Sequence, residues 1–138
     1  MVVNNIKGKI GIIILLFLFL LCGCANTKNN TESNIKNITI TIINNDETEL
    51  LNKNVLTDEK YLIDVLKKDE EFGLKYEDSK YGAYIISLMG IEQKNDNDGT
   101  YYWAYYVNDE YASTGVSNCE IKDGANYKFV YEFYNYKE

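Results

Sequence analysis

Residues 38–43 read ITITII, a run of β-branched residues with isoleucine at every second position until the last pair. That period of two predicts a strand with Ile38, Ile40 and Ile42 on one buried face. Asn44-Asn45-Asp46 reads as a turn, and a weaker strand over Thr48–Val55 completes a hairpin. The period then lengthens. Thr57 is placed to cap a helix, with Asp58 and Glu59 in its first turn complementing the dipole. Leu62, Val65, Leu66 and Phe72 fall on one stripe, so the helix is predicted to run to about Phe72 and to stop at Gly73. Asp64 and Lys68 stand four apart on its wet side. Asp69 interrupts the stripe, and Asp69-Glu70-Glu71 oppose the C-terminal dipole, so the last turn is expected to fray.

Beyond Gly73 the pattern breaks into short segments divided by turn residues. Leu74–Glu77 reads as extended. Ala83–Met89, AYIISLM, is nearly all apolar and is the strongest candidate for a central strand. NDNDG at 95–99 reads as a turn, Tyr101–Val107 as a strand and Asn108-Asp109 as a second turn. A short strand over Cys119–Lys122, a tight turn at Asp123-Gly124 and a last strand over Tyr127–Tyr134 complete the chain. Two strands, one helix and then several strands is an α+β order. It predicts a β-grasp-like fold, with one helix packed on a mainly antiparallel, curled sheet.

The N-terminus follows a different rule. Lys7 and Lys9 precede the apolar run of residues 10–21, which is shorter than the roughly 20 residues a spanning helix needs but long enough for a signal-peptide core. Leu21-Cys22-Gly23-Cys24 resembles a bacterial lipobox. Residues 1–23 are therefore expected to be a lipoprotein signal peptide, and Cys24 the residue that takes a diacylglyceryl thioether. Residues 24–37 form a lipidated cysteine and polar tether, and residues 38–138 the folded domain. The protein is expected to be extracytoplasmic and lipid-anchored at the cell membrane, since two or more acyl chains hold stably where one does not.

Charge narrows the partners. The leader takes two of the 14 basic residues and none of the 21 acidic ones, which moves the net charge from −7 to −9. An acidic chain without arginine offers no face for neutralising phosphates, so nucleic acid is excluded as a partner. The chain has no histidine, which removes Ser-His and Cys-His nucleophiles, His-ligated zinc and the usual general base near neutral pH. No pair of acids stands at a distinctive spacing. A non-enzyme is predicted, with no required cofactor.

Two motifs invite sharper readings. In NDNDG, Asp96, Asp98 and Gly99 match positions 3, 5 and 6 of a calcium loop, but Lys94 and Tyr105 fall where positions 1 and 12 need acids, so a solvated hairpin turn is the better reading. Cys119 would be the one cysteine left in the folded domain, and it reads as a small buried hydrophobe. The stretch TYYWAYYVND holds the only tryptophan and four of the 13 tyrosines. Strand alternation puts Tyr101, Trp103, Tyr105 and Val107 on one face and Tyr102, Ala104, Tyr106 and Asn108 on the other. A binding surface and ordinary cross-strand pairing account for these rings equally well.

Several stretches together resemble a known family. Tyr81-Gly82-Ala83-Tyr84-Ile85-Ile86-Ser87-Leu88-Met89-Gly90-Ile91, the run Tyr101–Asn108, Gly115-Val116 and Ile121-Lys122-Asp123-Gly124 are similar to the transcobalamin-like C-terminal domain. That β-grasp-type module ends the cobalamin carriers transcobalamin and intrinsic factor, and also occurs in bacterial surface proteins. The resemblance implies a small-molecule binding module, with cobalamin or a related corrinoid as ligand. In the carriers the corrinoid lies between this module and a preceding helical domain. Carried over by motif, the implied ligand contacts are Tyr81, Gly82, Tyr102, Trp103, Tyr106, Gly115 and Val116. Without histidine the chain offers no imidazole to cobalt. A protein-interaction or adhesion module, binding a surface protein partner through the same rings, is the alternative.

Overall fold

The structure is a computed structural model that describes residues 34–137. The expected signal peptide, Cys24 and most of the tether lie outside the described residues. Strand β1 (Lys36–Ile43) and β2 (Glu49–Thr57) form the expected antiparallel hairpin. Ile38, Ile40 and Ile42 are all buried, as their spacing required. The main sheet continues through β9 (Asn126–Asn135), β7 (Gly99–Val107) and β6 (Lys94–Asn95), in the order β2-β1-β9-β7-β6, and β8 (Glu110–Tyr111) pairs with β7. β1 runs parallel to β9, and the other pairs in this sheet are antiparallel. The first and last strands therefore lie side by side at its centre. Architecture and element content are those of an α+β fold.

The helix is shorter than predicted. Helix α1 covers Leu62–Lys68, with Tyr61 at its N-cap and no side chain bonded there. Thr57 does not cap it. Thr57 is the last residue of β2, paired with Lys36, and its hydroxyl accepts from the Glu59 N–H in a local turn. Strand pairing thus claims the residue that the local sequence offers to the helix. Asp69 ends α1, and its carboxylate accepts from the Glu71 N–H to start a single 3-10 turn, Glu70–Phe72. Gly73 closes that turn in the left-handed region (φ 56°), where a side chain is disfavoured. The frayed end expected from the acidic run is this change of helix type. Lys68 pairs with Glu59 and Asp58 rather than with Asp64.

Asp69 instead faces Lys53 of β2, 2.6 Å away, with Glu71 on the same ammonium at 2.5 Å. Lys53 stands opposite Ile40, on the sheet's inner face. A charge turned inward on an edge strand discourages strand addition at that edge. Among the described residues β2 pairs with β1 alone.

A second sheet replaces the single layer that the sequence suggested. β3 (Lys75–Ser79), β4 (Gly82–Leu88) and β5 (Ile91–Glu92) form it in that order. The apolar run of residues 83–89 is thus the middle strand of the small sheet and lies outside the main one. Its inward residues Ile85 and Leu88 join α1 and the isoleucines of β1 in one core. Residues 119–122 make no strand; Glu120 forms an isolated bridge to Tyr61, and the Leu62 N–H donates to the Cys119 carbonyl. Among the described residues no helix is long and apolar enough to cross a membrane.

Ser87 on β4 is fully buried and its hydroxyl has no partner. An unmade buried hydrogen bond costs more than an apolar group of similar size. Ser87→Ala is therefore expected to leave stability unchanged or to raise it by about 1 kcal/mol, read as the midpoint of urea unfolding. A clear loss of stability would show that the hydroxyl has a partner.

Candidate functional site

Strand β7 carries rings on both faces, and its pairing with β9 separates their roles. Toward the core, Trp103 lies opposite Tyr131 and Tyr105 opposite Phe129, with ring centroids 5.0 Å and 5.6 Å apart. Their polar tips hold the covering layer. The Trp103 indole N–H donates to the Ile91 carbonyl (3.0 Å), the Tyr131 hydroxyl to the Glu92 carbonyl (2.6 Å), and the Tyr105 hydroxyl to the Thr114 carbonyl. These rings fasten β5 and the 112–119 loop to the sheet. Burial pushes the Tyr105 hydroxyl up to about 12.

On the opposite face Tyr102 and Tyr106 flank Ala104 and donate their hydroxyls to the two oxygens of Glu132. Glu132 stands directly across the ladder from Tyr102, and Lys128 across from Tyr106. The Lys128 ammonium lies 5.3 Å from the Tyr106 ring centroid and pairs with Asp109 at 2.5 Å. Asn108 and Asp109 both have positive φ, a geometry suited to a two-residue hairpin turn. That turn sets Tyr111 opposite Tyr106, edge to face at 5.4 Å. Burial pushes the Tyr102 and Tyr84 hydroxyls above the ordinary range, with Glu132 and then Tyr111 adding to it at Tyr102 and Tyr111 at Tyr84 on β4.

The hydrogen bond to Glu132, then burial, pushes Tyr106 up to about 12. A carboxylate that accepts from a phenol holds the proton on it. Glu132→Gln is accordingly expected to lower the pKa of Tyr106 toward the ordinary value of about 10, resolved by a pH titration of the ring carbons in NMR. An unchanged titration would show that Glu132 does not hold the proton. Because the folded-state value is raised, the native state loses stability as pH rises above about 10, and the variant should lose less.

Tyr84 also lines a cleft of about 480 Å³ with Tyr81, Gly82, Gly115, Glu77 and Asp78. Gly82 has φ of 103° and lies against Ser117; a Cβ there would meet the Ser117 side chain at 3.0 Å. The Ser117 hydroxyl accepts from the Ala83 N–H at 2.8 Å, which docks the start of β4 onto the 115–117 loop. Tyr81 is 77% exposed.

Of the residues implied by resemblance, Tyr81, Gly82 and Gly115 meet in this cleft. Tyr102 and Tyr106 lie on the outer face of β7, where Tyr111 packs on Tyr106, and are not among the residues lining the cleft. Trp103 and Val116 lie beneath, in the core. Tyr84, Tyr111 and Glu132 were absent from the implied set. The legible signals for two of them were a tyrosine interrupting the apolar run at position 84 and a tyrosine three residues after Asn108. A second cleft between β8 and the 112–122 loop is lined by Cys119, Glu110 and Lys122. Burial raises the Cys119 thiol above its ordinary value, which makes it a poor nucleophile. Among the described residues no group of three or more Cys, Asp or Glu is placed to hold a metal ion. Asp96, the first acid of the calcium-like stretch, accepts from the N–H groups of Asp98 and Gly99.

Residues 59–132, more than half of the chain, match the family described as a domain of unknown function, DUF4430. No curated protein matches. Among solved structures, a candidate metal binding protein from Ruminococcus gnavus ATCC 29149 shares the fold with a TM-score of 0.64 and 24% identity, covering 72% of this chain and 98% of that one. Haptocorrin in complex with Cbi does so with a TM-score of 0.56 and 20% identity. That match covers 72% of this chain but 25% of haptocorrin.

Proposed function

The chain belongs to the DUF4430 family, and from that premise we propose that it is a non-catalytic binding module held at the outer face of a cell membrane through lipidated Cys24. Its tyrosine face takes a flat organic ligand, and a corrinoid is the leading one. The observation that carries this reading is the number of tyrosines left outside the core, on the outer face of β7 and in the cleft at the start of β4. Tyr102 and Tyr106 share Glu132, Tyr111 packs edge to face on Tyr106, and Tyr81 and Tyr84 line a cleft that has glycines at 82 and 115. Tyrosine presents an apolar body and a polar tip, which suits a ring system fringed with amides. The likeness to haptocorrin in complex with Cbi, and the sequence resemblance to the transcobalamin-like C-terminal domain, with its β-grasp-type strand order, support the same ligand class. The residues present fit a corrinoid through stacking and shape. They supply no imidazole to its cobalt.

Equilibrium dialysis of the full chain in detergent against cobalamin and cobinamide, followed by the corrinoid's own absorbance, tests the reading. Retention by the parent and its loss in Tyr84→Ala and Tyr106→Ala is the expected result. No retention at high micromolar protein removes corrinoids as ligands. For the anchor, Cys24→Ser is expected to abolish incorporation of labelled palmitate and to move the protein from the membrane to the soluble fraction.

A further inference from the structure

We infer that the cleft beside the Tyr81-Gly82 turn is a subsite for the positively charged nitrogen of an organic ammonium group. The inference rests on the binding face proposed above and names the chemistry of one end of it. Two tyrosines, Tyr81 and Tyr84, form its aromatic wall, and Glu77 and Asp78 are the charged groups that line it. Glu77 stands directly across the β3–β4 ladder from Tyr84, so a carboxylate and a ring share one face of the hairpin. Asp78 stands opposite Ala83, and Gly82 and Gly115 carry no side chain into the space. No lysine lines the cleft.

Rings and carboxylates around a small open volume favour a cation with an apolar shell. The ring faces attract the charge and the carboxylates balance it, while an anion meets only repulsion. The ammonium of the preceding residue, Lys80, lies 4.8 Å from the Tyr81 ring centroid. Lys80 does not fill the cleft, but its charge opposes a second cation beside the same ring, which gives the inference a test with an unusual sign.

The probes are choline and its uncharged carbon isostere, 3,3-dimethylbutan-1-ol, titrated into the full chain in detergent and followed through tyrosine ring signals in NMR. Choline is expected to bind at least about 10-fold more tightly than the isostere, and more weakly as salt rises. Glu77→Gln and Asp78→Asn should each weaken it by about 3- to 10-fold, and Tyr84→Leu by at least as much. Lys80→Gln should strengthen it by about 3-fold or more. A merely structural lysine would not give that gain. Equal binding of the isostere, tighter binding of methanesulfonate than of choline, or no choline binding at tens of millimolar would each overturn the inference. The corrinoid experiment fails separately: retention of corrinoid without choline binding leaves the proposed function standing and removes this subsite. Choline binding without corrinoid retention does the reverse.

Discussion

Gly99→Ala is expected to abolish cooperative folding, or to leave a protein destabilised by at least about 3 kcal/mol. Gly99 is buried at the start of β7, opposite Asn135 of β9. A Cβ built there would overlap the Tyr134 carbonyl oxygen and come within 2.6 Å and 2.7 Å of two Phe133 ring atoms. The ring can turn aside, but the carbonyl belongs to the ladder and cannot. The β7–β9 pairing would have to open at this end, where the Gly99 carbonyl also accepts from the Asp96 N–H and its N–H donates to the Asp96 carboxylate. A total stability of 5–15 kcal/mol for a typical domain leaves little room for such a loss. Urea unfolding provides the readout. The double variant with Phe133→Ala separates the two clashes, and it should recover only the part due to the ring. A single variant with the parent's unfolding midpoint would show that β9 yields at Tyr134 without cost. The result also bears on NDNDG: its glycine serves close backbone approach, and its first aspartate serves the turn.

What could be read from the sequence follows the range over which each cause acts. The isoleucines at 38, 40 and 42 and the rings of 101–107 sort by a period of two, which neighbouring residues alone set, and both strands form as expected. Asn108-Asp109 and Gly124 mark turns through backbone conformations that few other residues accept. Thr57 and Asp58 offered an equally local helix start, but pairing of Thr57 with Lys36 at the far end of the hairpin took precedence. Residues 83–89 are apolar whichever sheet receives them, so no period could assign the strand. The same limit governed the site. Alternation separated Tyr102 and Tyr106 from Trp103, yet which set faced outward depended on Ile91 and Glu92, distant carbonyls that claim Trp103 and Tyr131. Tyr111 joins the site through a two-residue turn and Tyr84 through another sheet, contacts that no local pattern encodes.

Trp103→Ala is expected to cost about 3–5 kcal/mol, and Trp103→Phe about 1–3 kcal/mol. The first removes the largest side chain of the β7 inner face and its packing on Tyr131. The second keeps a ring but leaves the Ile91 carbonyl without the indole donor. Both loosen β5, the strand that Trp103 and Tyr131 hold against the sheet. Urea unfolding measures the cost, and hydrogen exchange at Ile91 to Gln93 should report the loosening locally. These variants also separate core from surface. Trp103 is only 7% exposed, so Trp103→Phe should leave affinity for a ligand of the tyrosine face within about twofold once the folded fraction is taken into account. Tyr84→Ala should do the opposite, because a half-exposed ring contributes little to stability. Loss of binding in Trp103→Phe with stability intact would move the tryptophan from the frame of the site into the site itself. The two rings, one beneath the sheet's surface and one upon it, thus make opposite predictions in the same pair of assays.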